Sequence, residues 1–160
     1  MTSNTLFDPI AWLETTAPFS AFCVRLLLVR EGSPKSYPAF TSSRAVYEMF
    51  SLLGTLDREV FFSVMLDIKQ RLTGLSLVSV GTLDASIVHP REVFKAAVVG
   101  NAAAILCVHN HPSGDPTPSR EDLALSTRLA RAGRVLGIPV LDHVVIGVEG
   151  YTSFKDQGLL

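Results

Sequence analysis

The segment HNHPSGDPTPSRED, from His109 to Asp122, holds the densest run of chemically capable side chains in this chain. Alternate side chains of an extended segment share a face, so His109 and His111 point to one side and Asn110 to the other. Two neutral imidazoles and one carboxylate, with a fourth position left open, form the ligand set of a catalytic zinc ion; structural zinc sites usually fill all four positions with protein. Pro112, Gly114, Pro116 and Pro118 turn and stiffen the loop, and the chain re-enters helix at Ser119, which can bring Asp122 back toward the histidines. Water at such an ion would be acidified to a pKa of about 7 and become a nucleophile. The chemistry also needs a base that is not a ligand, and nine acidic residues precede His109. Spacing alone does not choose among them.

Part of this set has a plainer explanation. SRED is itself a good helix start, with Ser119 as N-cap and Asp122 compensating the positive helix end. A lone HxH is weak, because histidines at strand ends are often only hydrogen bonded. What helix capping leaves unexplained is the combination: two same-side histidines leaving an apolar strand, a stiff loop and a correctly spaced carboxylate.

The flanking sequence supplies the elements that must position these residues. AAAILCV, just before His109, is a continuous apolar run of strand length, as expected for a central strand covered on both faces. Helical spacing runs from Ser119 to about Val135 and stops at Gly137 before Pro139. VLDHVVIGVEGYTSF then reads as a strand, a turn and a short strand. Upstream, TSSRAVYEMFSLLG is an amphipathic helix with a glycine stop at Gly54. Strands follow over Val60 to Asp67 and Leu72 to Val80, and HPREVFKAAVVG is a short crossover helix with Pro90 at its start. Residues 1–41 are expected to form a loose arm and a hairpin, with one strand over Phe22 to Arg30. Alternating strands and helices give an α/β class with a mixed sheet.

Composition bounds the function. Hydrophobic residues make up 48% of the 160 and charged residues 18%, which disfavours disorder and leaves apolar surface for a partner subunit in a homo-oligomer. Fourteen basic against fifteen acidic residues give a net charge of −1, so there is no basic field for general nucleic-acid binding. Cys23 and Cys107 lie in apolar runs without a CxxC pattern and are expected to be buried thiols in a reducing compartment. Neither a secretory signal nor a membrane-length apolar run is visible, and a cytoplasmic protein is expected.

HNH, the seven residues PSGDPTP and SRED together match H-x-H-x7-S-x2-D, the signature of the JAMM (MPN-plus) metalloproteases. HNHPSGDPTPS, VGTLDASIVHPREVFKAA and GIPVLDHVVIG resemble its RadC-like JAB-domain branch over residues 42–160. The resemblance implies a three-layer fold like that of cytidine deaminases. It also implies a zinc ion held by His109, His111 and Asp122, with Ser119 helping to stabilise the oxyanion. The family's general base is a glutamate where a helix gives way to the first core strand, which here is Glu59 in DREVFFSVMLD. Glu92 is the rival, although a glutamate in a helix's first turn has an ordinary dipole-capping role. The implied reaction is hydrolysis of a peptide or isopeptide bond in a protein substrate.

Full-length RadC-like proteins usually carry an N-terminal helix-hairpin-helix region, and nothing in residues 1–41 resembles one, so a role in DNA metabolism is not expected to carry over. A zinc deaminase would need H-x-E and P-C-x-x-C, and both are absent. The chief rival from another class is a non-catalytic MPN-type interaction module, which has no need to keep all four motif positions; a metal-dependent protein acting in DNA metabolism is the other alternative. His143 in LDHVVIG is expected to be a core residue or to support the ligands, and His89 to be a helix-entry residue.

Overall fold

A computed structural model describes residues 39–81 and 88–160. Of the arm and hairpin expected over residues 1–41, residues 1–38, with Cys23, lie outside the described residues. The chain first forms α1 (Ser43–Phe50), capped by Ser42, and continues into a 3-10 turn over Ser51–Thr55. Next come β1 (Glu59–Leu66) and β2 (Leu72–Gly81), joined by a turn in which Asp67 Oδ1 accepts from the N–H groups of Lys69 and Arg71. Helix α2 (Pro90–Val99) is entered through His89, whose Nδ1 accepts from the N–H of Arg91. Strand β3 (Ala104–Asn110), helix α3 (Arg120–Leu136), β4 (Val140–Ile146) and β5 (Tyr151–Ser153) complete the order.

The sheet order is β2-β1-β3-β4-β5. Strand β1 is antiparallel to both neighbours, β3 and β4 are parallel, and β5 returns antiparallel to β4. Helix α3 is the crossover between the two parallel strands, so its N-terminus lies at the carboxyl end of β3. In open α/β sheets this is the end where ligands bind.

Every residue of β3 is buried because both faces of the sheet are covered. On one face Phe61, Ile105 and Cys107 pack with Val93, Phe94 and Ala97 of α2 and Leu129 of α3. On the other, Val64, Leu106, Val108, Val144 and Ile146 pack with Val46 and Phe50 of α1. Helix, sheet and helix make the three layers that the resemblance implies. Burial raises the pKa of the Cys107 thiol and suppresses its reactivity.

One boundary differs from the sequence reading in a way that matters. Strand β3 starts at Ala104, after the Ala102 N–H closes the end of α2 on the Ala97 carbonyl, and it runs on through Asn110. His109 is therefore a strand residue, and His111 is the first residue beyond it. No helix among the described residues is long and apolar enough to cross a membrane.

Candidate metal centre

His109 and Cys107 face α2 and α3, and His109 is fully buried there, with the Phe61 ring stacked on its imidazole at 5.8 Å between centroids. His111 lies on the same side: its Nε2 is 3.1 Å from His109 Nε2. Asp122 faces both, with Oδ1 3.2 Å from His109 Nε2 and Oδ2 3.3 Å from His111 Nε2. Ligand atoms from the three residues all lie within 4.8 Å of one another.

The loop between histidines and helix is fastened at several points. The His111 N–H donates to the Ile146 carbonyl, and the Gly114 N–H donates back to the His111 carbonyl. Gly114 has φ +84°, and a Cβ at Gly147 would lie 2.3 Å from the Gly114 carbonyl oxygen, so these two positions require glycine for the loop to seat against the end of β4. Ser119 then opens α3 with a full capping box. Its Oγ accepts from the Asp122 N–H at 3.1 Å, while its own N–H and O–H donate to Asp122 Oδ2 at 2.7 and 2.6 Å. Capping and site construction thus use the same two residues.

The donor chemistry fits a divalent ion. His111 Nδ1 lies 2.8 Å from the Asp115 carbonyl; a carbonyl only accepts, so Nδ1 carries the proton and the neutral ring keeps a lone pair on Nε2. That lone pair faces His109 Nε2 and a carboxylate, a poor arrangement without a cation between them. Ligand distances of 2.0–2.1 Å in a tetrahedron place ligand atoms roughly 3.3 Å apart, close to the separations seen here. Without an ion, burial pushes the Asp122 carboxyl up, but imidazoles that carry their protons on Nε2 outweigh it and hold the group well below the usual carboxylate range; a bound cation would take the place of those protons. Asp122, chiefly, raises the His111 pKa against the effect of burial, and the Glu59 carboxylate adds to the rise.

Glu59 opens β1. Phe61 pairs with His109, and continuing that register by two residues sets Glu59 opposite His111. The position is braced by Asn110, whose buried side chain on the opposite face accepts from the Val60 N–H at 2.9 Å and donates to the Arg58 carbonyl at 3.1 Å. The brace grips the backbone on both sides of Glu59. Sequence reasoning placed Asn110 on the far face but gave it no task; a polar side chain on a strand covered on both faces was the available signal. Glu92 is otherwise engaged, at the start of α2 with its carboxylate 2.6 Å from Lys95 Nζ. His143 stands behind His109 rather than at the ligand position, with its Nε2 2.8 Å from His109 Nδ1.

The RadC-like JAB domain family matches residues 40–159. A UPF0758 protein of Symbiobacterium thermophilum is 53% identical over 118 residues, covering 73% of this chain and 50% of its own length. A UPF0758 protein of Desulforamulus reducens is 52% identical over 108 residues (68% and 48%), and one of Pelobacter propionicus 52% over 122 residues (76% and 53%). The chain spans about half the length of these curated relatives.

Proposed function

The chain belongs to the RadC-like JAB-domain family, and on that premise we propose that it is a zinc-dependent hydrolase cleaving a peptide or isopeptide amide bond. The observation that carries the reading is the convergence of His109 Nε2, His111 Nε2 and the Asp122 carboxylate on one point. Family and donor set together support a metal-dependent hydrolase at the general level; zinc and the amide bond are the finer reading. Two imidazoles and a carboxylate with an open side suit zinc among the divalent ions. Held by His109, His111 and Asp122, the ion would supply a Lewis acid that lowers the pKa of water to about 7 and polarises a carbonyl.

In this reading Glu59 takes a proton from the attacking water as its oxygen bonds to the carbonyl carbon. It returns that proton to the nitrogen as the C–N bond breaks. The Ser119 hydroxyl, which donates to Asp122 Oδ2, would turn to the carbonyl oxygen as charge develops there. Asp122 keeps a donor when the hydroxyl leaves, because the Ser119 N–H bonds the same oxygen. The substrate in this proposal is a peptide or protein, and the near-neutral charge offers little to a phosphate backbone.

An interaction scaffold of the same fold has no use for a carboxylate and two imidazoles gathered in a mostly buried place, where polar groups without full hydrogen bonding cost stability. The deciding experiment is a panel of peptide and isopeptide substrates, assayed with and without chelator, on the wild type and Glu59→Gln. Hydrolysis lost to chelator, restored by zinc and absent from Glu59→Gln is expected. Cleavage that survives chelation, or zinc-loaded protein that cleaves nothing across the panel, would contradict the proposal.

A further inference from the structure

Behind His109 a line of polar atoms runs into the apolar layer under α2 and α3. His109 Nδ1 meets His143 Nε2 at 2.8 Å, and His143 Nδ1 is in close contact with Ser126 Oγ. All three residues are buried, with 1% exposure or less. Phe61 stacks on the His109 ring and sets its edge against His143, while Phe154 stacks on the other imidazole at 4.7 Å between centroids. Ser126 stands one turn after Asp122 on α3, so one helix face delivers both a ligand carboxylate and the end of this line. A neutral imidazole in this place carries one proton and keeps one lone pair, so His143 can donate through one nitrogen and accept through the other.

Protons can occupy this line in two orders. In one, Ser126 donates to His143 Nδ1, His143 Nε2 donates to His109 Nδ1, and His109 Nε2 carries a proton toward Asp122. In the other, His109 Nδ1 donates to His143 Nε2 and His143 Nδ1 donates to Ser126 Oγ, leaving a lone pair on His109 Nε2. Only the second presents His109 as a ligand. Its counterpart at His111 is a backbone carbonyl, the more usual partner of a ligand imidazole.

We propose that His143 and Ser126 are positioning residues for the metal centre: as successive acceptors they fix the tautomer and ring orientation of His109, so that its Nε2 lone pair faces His111 and Asp122. The inference rests on the metal-centre reading above and deepens it. It adds two residues, from β4 and α3, that touch neither substrate nor ion.

The test compares zinc affinity of the full chain, by competition with a chromogenic chelator, for wild type, His143→Phe and His143→Gln, with thermal unfolding of each metal-free protein alongside. Phenylalanine fills the space but cannot accept, and zinc binding is expected to weaken about 10–100-fold. Glutamine places an amide oxygen near the Nε2 position and is expected to recover most of the loss. A packing role alone would show in unfolding and would not be rescued by glutamine. Long-range proton–nitrogen NMR of the zinc-loaded wild type reads the tautomer directly and decides the matter even if His143→Phe does not fold: the proton of His143 is expected on Nδ1. A proton on His143 Nε2, or undiminished zinc affinity in His143→Phe, overturns this inference alone. A wild type that binds no zinc overturns it together with the metal-centre reading.

Discussion

Asp142, on β4, meets a closed set of donors: the Ser153 hydroxyl at 2.6 Å and the N–H groups of His143 and Lys155 at 2.7 and 3.0 Å. Asp122, at the start of α3, is served on one oxygen by Ser119 and turns its remaining capacity toward two imidazole nitrogens. Both carboxylates are mostly buried against the same sheet. Burial raises the Asp142 pKa although its three donors oppose it, whereas at Asp122 the histidines overcome burial and lower the pKa. The contrast separates a carboxylate that ties the β5 corner to β4 from one that gathers acceptors around a point. Burial and acidity alone do not mark a site; unspent acceptor capacity facing other acceptors does.

The widest separation between the two regions should appear in metal content. His109→Ala combined with Asp122→Ala is expected to abolish stoichiometric zinc binding. Asp142→Asn is expected to keep zinc and instead lose about 1–3 kcal/mol of stability, as buried groups at the corner lose a partner. Mass spectrometry of metal content beside chemical denaturation separates the outcomes, and zinc lost from Asp142→Asn alone would erase the distinction.

The next effect tests what the site does with the ion. Glu59→Gln should lower kcat by about 10²–10⁴-fold with zinc still bound, and Glu92→Gln should leave kcat as it was. A large loss in Glu92→Gln would move the base to α2. Smaller again is Asn110→Ala, which removes the brace on either side of Glu59. About 1–3 kcal/mol of stability should go, since the Val60 N–H and Arg58 carbonyl lose their side-chain partner. Zinc affinity should hold and kcat should fall more than KM changes. Equal losses in zinc affinity and kcat would show that Asn110 supports the histidines rather than Glu59.

The mildest prediction concerns pH. In the metal-free protein the His111 pKa is raised above its ordinary 6.5, chiefly by Asp122. Its stabilising contribution is therefore present in full below about 6.5 and is lost as pH rises through the higher folded value. The stability gap between wild type and His111→Gln should narrow over that window in metal-free samples. Zinc requires the neutral ring, so zinc-induced stabilisation of the wild type should grow over the same window. Denaturant titrations at several pH values check both slopes, and slopes of the same sign would contradict the assignment.

That His109, His111 and Asp122 would be gathered was legible in the sequence, because alternation along a strand and the capping of a helix are local rules, and both act within HNHPSGDPTPSRED. Helices α1, α2 and α3 and strands β1 and β2 were legible for the same reason, from Ser42, Pro90, Gly137 and the apolar spacing between them. Less legible were contacts made across the sheet. The two hydrogen bonds of Asn110 depend on the β1–β3 register, which sets Phe61 against His109. Likewise the line from His109 through His143 to Ser126 joins three elements, and only the fold brings them together. Asp142 stands in a strand next to His143 and Asp122 in the first turn of a helix, but nothing local shows which of the two is fully served by donors; that comes from the partners that tertiary structure supplies.

Whether one ion sits among His109, His111 and Asp122 is read from anomalous diffraction at the zinc edge, on crystals of the zinc-loaded protein. A strong peak is expected about 2.0–2.2 Å from His109 Nε2, His111 Nε2 and an Asp122 oxygen. A peak held by other residues, or none in crystals grown with stoichiometric zinc, would contradict the metal-centre reading.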